Sequence, residues 1–121
     1  WSLANYDNQI VLNPLINALK NDVSSVRLWA SSSLAEIGCM SNENAQLAAE
    51  QLLISLQIDN EPVVRSNCIW SLCRLYQNLS TQLQESFVDE CTKIALFDQE
   101  PSVMEEAKTA LDSMGMKGFY K

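Results

Sequence analysis

Apolar positions along the chain fall into one helical template three times over. Val26, Ala30, Ser33, Leu34 and Ile37 recur as Val64, Cys68, Ser71, Leu72 and Leu75, and again as Val103, Ala107, Ala110, Leu111 and Met114. Offsets of 4, 7, 8 and 11 from the leading valine gather these side chains on one face of a 3.6-residue helix, which the alternation of a strand would not do. The leading valines stand 38 and 39 residues apart, a period typical of helical-hairpin repeats. Upstream of each valine a second stretch, over residues 10–20, 44–57 and 82–97, carries Leu, Ile, Ala or Phe at helical spacing. Each repeat therefore predicts a pair of helices.

The segment between the two helices is itself repeated: Asn21-Asp22-Val23-Ser24-Ser25-Val26-Arg27 returns as residues 59–65 and as residues 98–104. Pro62 and Pro101 suit a first helical turn, and Asp22, Asn60 or Ser24 are candidates to cap the exposed amides. Gly38 and Gly115 stand where a helix is expected to stop.

Leu12-Asn13-Pro14-Leu15-Ile16-Asn17-Ala18-Leu19, followed by Val26-Arg27 and by Ser33-Leu34-Ala35-Glu36-Ile37-Gly38, resembles the HEAT repeats of the phycobilisome-lyase type. The match is closest in the first repeat. The second and third keep the valine and the leucine but have longer first helices, and Met104 replaces the arginine of the third. The resemblance implies an all-α fold, an α-solenoid of about three HEAT hairpins at residues 8–40, 43–78 and 81–115. Residues 1–7 would be the end of a preceding repeat, since Trp1-Ser2-Leu3-Ala4-Asn5 aligns with Ser32-Ser33-Leu34-Ala35-Glu36 and with Trp70-Ser71-Leu72-Cys73-Arg74. The chain would then be a fragment, with residues 116–121 as a tail. HEAT repeats are also similar to one another in an Asp or Asn six residues before an Arg. Asn21 with Arg27 and Asp59 with Arg65 keep that spacing, while Asp98 has Met104 instead. What this implies is a structural polar ladder between repeats, because a partly buried Arg generally holds a carboxylate.

Composition narrows the function. At 121 residues and 47% hydrophobic content the chain can bury a core of its own, and three glycines and three prolines favour long helices. No histidine is present, which removes the usual general base and the Ser-His and Cys-His nucleophile pairs. Cys39, Cys68, Cys73 and Cys91 follow neither a zinc-ligand spacing nor a secreted disulfide framework. Neither a metal nor a cofactor is expected, and no residue is nominated as catalytic. Reduced thiols and the lack of an apolar run long enough to span a bilayer point to a soluble, cytoplasmic protein. Eight basic residues, scattered and without aromatic interleaving, stand against fifteen acidic ones for a net charge of −7, which excludes nucleic acid as a natural partner.

The remaining chemistry lies on the outward side of the second helices. Trp70 falls roughly 150° from the centre of its helix's apolar stripe at 100° per residue, so it faces outward. Leu28 and Cys73 occupy the same sector of their repeats, and Glu105, Thr109 and Asp112 continue it, so the strip passes from apolar to acidic. Trp29, nearer the flank of its stripe, reads as inter-repeat packing, and Cys68, in the slot of Ala30 and Ala107, as core. From Gln82 to Asp112 eight acids face only Lys93 and Lys108, and a solvated acidic face is the expected result. In HEAT stacks the second helices line the concave surface, so the resemblance implies a non-catalytic scaffold that binds another protein through Leu28, Trp70, Cys73, Glu105 and Asp112. The alternative it implies is a component of a bilin lyase, or a chaperone of a phycobiliprotein, with the open-chain tetrapyrrole handled together with a partner subunit.

Overall fold

Two serines and two prolines set where four of the helices begin. The Ser41 hydroxyl accepts from the Asn44 amide and the Ser80 hydroxyl from the Leu83 amide, satisfying first-turn donors that have no partner within the helix. Pro62 and Pro101 open two others, at a position where the missing N–H breaks no bond. The repeated linkers use a different device. Asn21, Asp59 and Asp98 each accept, through Oδ1, the amide of the residue two positions on (Val23, Glu61 and Glu100) at 2.9, 3.0 and 2.9 Å. These Asx turns overturn the expectation that Asp22, Asn60 or Ser24 would cap. The N-caps are Val23, Glu61 and Glu100, none with a side-chain cap bond, because the short polar side chain upstream already holds the cap residue extended.

A computed structural model describes residues 8–115. Among them lie six α-helices, α1 (Asn8–Ala18), α2 (Ser24–Gly38), α3 (Asn42–Ile58), α4 (Pro62–Leu75), α5 (Thr81–Phe97) and α6 (Pro101–Ser113), with a 3-10 turn at Tyr76–Asn78 and no strand. The protein is all-helical. The alignment of Trp1 to Asn5 and the terminal tail lie outside the described residues. None of the described helices is long and apolar enough to cross a membrane.

The helices form two rows. α2, α4 and α6 pack side by side, while α1 and α5 flank α3 more loosely; the rows meet through α1–α2, α2–α3, α3–α4 and α5–α6. The core is a seam of Leu, Ala and Val between them, with Leu34, Leu52, Leu72, Phe87 and Leu111 fully buried. The repeated stripe is not buried to the same extent in each helix. All five stripe residues of α4 are at 0% exposure, since α4 has a neighbour on either side. On α2 only Ala30 and Leu34 are buried, and Val26, Ser33 and Ile37 are half-buried.

Trp29, expected to pack between repeats, is 58% exposed. Its register on α2 is that of Asn67 on α4, whose side chain turns towards α2, and among the described elements α2 packs only on α1, α3 and α4.

α2 ends at Gly38 as expected, though without a left-handed turn there. A Cβ there would lie 2.8 Å from Leu75 Cδ2, so a larger residue would require the Leu75 side chain to shift. Gly115 does take the left-handed conformation, φ 78°, just after Met114, as a helix-ending glycine does.

Candidate functional site: a groove across the second row

The repeated linkers place charged groups in line along one edge of the stack. Arg27 donates from Nε to Asp59 Oδ2 at 2.8 Å and from Nη2 to Asp59 Oδ1 at 3.1 Å, a two-point contact across repeats. It also donates to the carbonyls of Asn21 and Asp22 at 2.8 and 3.1 Å. One repeat later Arg65 donates to the Asp59 carbonyl at 3.0 Å and to Asp98 Oδ1 at 3.1 Å. Asp98, which lacks an Arg six residues on, thus takes its cation from the repeat before. The hydrogen bond to Asp59 holds the Arg27 guanidinium above its ordinary range, against the cost of burial. A hollow of about 550 Å³ lies beside this ladder, with Ile54 and Ile58 on its wall. Arg27 and Asp59 on its wall already satisfy each other.

The second hollow of interest, about 520 Å³, runs across the outward side of the second row. Leu28 and Ser32 come from α2, Val63, Ser66, Asn67 and Trp70 from α4, and Glu106 from α6. Trp70 is 46% exposed and Val63 53%, large apolar surfaces that a neighbour would ordinarily cover. The Arg74 guanidinium sits 5.1 Å from the centre of the Trp70 ring and within 3.9 Å of Cys39 Sγ, which steadies the indole by a cation–π contact and keeps Arg74 out of the groove lining.

The residues expected on this strip separate. Leu28 and Trp70 meet in the groove. Cys73 does not line it: the side chain is packed partly against the core. Glu105 does not line it either; its carboxylate is 74% exposed and lies 3.6 Å from Lys108 Nζ, while the adjacent Glu106 lines the groove in its place. Asp112 is exposed on α6 and is not among the lining residues. Val63, Asn67 and Glu106 were not expected. Val63, Ser66, Asn67 and Trp70 follow a 3-4-7 spacing, a second stripe on α4 that a closer reading of periodicity would find. The arrival of Glu106 depends on how α6 crosses α4, which no local pattern encodes.

The four cysteines are free thiols. Burial pushes Cys68 up to about 12 and Cys73 up to about 11, with a hydrogen bond to Ser113 working against it. Cys91 is raised further by the same cause. A thiol held protonated is a poor nucleophile, so an aromatic disulfide reagent at pH 8 is expected to titrate Cys39 rapidly and the other three only on unfolding.

Linkage gives a second check. The unfolded chain loses these protons near pH 8.5 and the folded chain later. Their contribution to stability is therefore complete below about pH 8.5 and falls as pH rises towards the folded values, by at most about 1.4 kcal/mol per pH unit per thiol. Cys68→Ala, which installs the residue that Ala30 and Ala107 already provide in this register, should flatten part of that fall. A urea midpoint that stays level between pH 8.5 and 10.5 in the native chain would contradict this account.

No family model, no curated protein and no solved structure matches this chain.

Proposed function

We propose that this chain is a stack of HEAT-type hairpins that works as a non-catalytic scaffold, holding a partner protein against the outward face of its second helices. One observation carries the reading: an exposed tryptophan, backed by an arginine, lines a groove whose other apolar walls, Leu28 and Val63, come from successive hairpins. With Glu106 contributed by α6, the groove spans three repeats. Tryptophan at the centre of an apolar depression is the residue type most often responsible for binding energy at protein interfaces.

Trp70→Asp should leave the helical circular dichroism unchanged, because the ring is half exposed, and weaken partner capture by at least about thirtyfold, the size of a 2 kcal/mol hot spot. The comparison is a pull-down with the native chain, with Trp70→Asp and with Phe97→Asp, a control on the other row where Phe97 is 78% exposed. A partner lost with Phe97→Asp and kept with Trp70→Asp would move the binding face to the first row and end this reading.

A further inference from the structure

We infer that the segment seated in the Trp70 groove presents an apolar side chain next to a lysine or arginine, a specificity that rests on the protein-binding reading above. The groove walls supplied by Leu28, Val63 and Trp70 take the apolar side chain. The basic neighbour follows from what the polar lining lacks. Glu106 is the one charged residue lining the groove. It is half-buried, and among the described residues no hydrogen bond or ion pair engages its carboxylate. The partly buried charges of the ladder, by contrast, are all matched: Arg27 with Asp59, Arg65 with Asp98. Two basic groups are engaged elsewhere, Arg74 with the indole and Lys108 with Glu105.

Asn67 adds to the same preference. Its amide nitrogen donates to the Ser31 and Ser32 hydroxyls and to the Leu28 carbonyl. A carbonyl can only accept, so the nitrogen is the atom facing α2 and the amide oxygen is left unengaged. The groove thus offers a carboxylate and a carbonyl oxygen, both acceptors, beside an apolar wall. A cationic side chain with several N–H donors fits both. A purely apolar occupant would cover Glu106 without compensating its lost hydration. An acidic segment, or a second copy of a chain carrying a net charge of −7, would be repelled.

The test is a selection from a library of random twelve-residue peptides displayed on phage, with native chain immobilised at low salt. Synthetic versions of enriched peptides are then titrated against the native chain, Glu106→Gln and Trp70→Asp, each checked by circular dichroism. Enriched peptides should carry Leu, Phe or Trp within a few positions of Lys or Arg. Trp70→Asp should abolish their binding. Glu106→Gln should weaken it about tenfold, the scale of one lost charge-assisted contact, and leave a Lys→Gln peptide binding as well as its parent. Peptides that need Trp70 but carry no basic residue, or that ignore Glu106→Gln, would overturn the basic specificity and leave the groove standing. Enrichment independent of Trp70, or none, would overturn the groove along with it.

Discussion

Asp59→Ala is expected to lower the free energy of unfolding by about 3 kcal/mol, the low end for breaking a largely buried ion pair. Three bonds end on this one carboxylate: both contacts from Arg27 and the Glu61 amide. Its side chain is 5% exposed and that of Arg27 12%, so water replaces little of what is lost. Alanine would leave the guanidinium without its anion and remove the Asx turn that delivers the chain into α4. Asp59→Asn, which keeps the turn and one acceptor, should recover about half of the loss. Urea denaturation of the two variants, in a double-mutant cycle with Arg27→Met, measures the coupling between hairpins. A loss below about 1 kcal/mol for Asp59→Ala would mean that the ladder adds little to the joint.

Phe87→Ala should cost more, about 3–5 kcal/mol, and should strike the third hairpin first. Phe87 is at 0% exposure on α5, and its ring lies 6.4 Å from that of Tyr76 at 53°, a tilted pairing suited to aromatic quadrupoles. The row it belongs to is the loosely packed one: α5 touches α3 far less closely than α6 touches α4. A cavity here weakens the seat of α5 against the second hairpin, where α3 contributes few contacts, while its packing on α6 is kept. Stacked repeats unfold according to local hairpin stability and neighbour contacts, so hydrogen exchange in Phe87→Ala should accelerate in α5 and α6 before α2 and α3. Uniform acceleration across all helices would show that the chain unfolds as a single unit.

The helices themselves were legible in the chain because each depends on local spacing. A template repeated at 38 and 39 residues, with Pro62 and Pro101 in first turns, marks α2, α4 and α6 without reference to any partner. The first-row helices, expected at 10–20, 44–57 and 82–97, lie at 8–18, 42–58 and 81–97. The early start of α3 reflects the Ser41 cap. The outward turn of Trp70 also follows from helical period alone.

What required the tertiary structure was every property that depends on a neighbour. Trp29 and Asn67 share a register, yet Trp29 is exposed while Asn67 is bonded to the neighbouring α2. The spacing of Asn21 and Arg27 predicts a ladder between repeats, but that the carboxylate held by Arg27 is Asp59, one repeat on, is decided by the packing. Glu105 and Glu106 are adjacent in sequence, and the crossing of α6 over α4 decides which of them lines the groove. Helical period fixes a side chain's direction only to tens of degrees, whereas the choice between neighbouring carboxylates turns on the packing of whole helices.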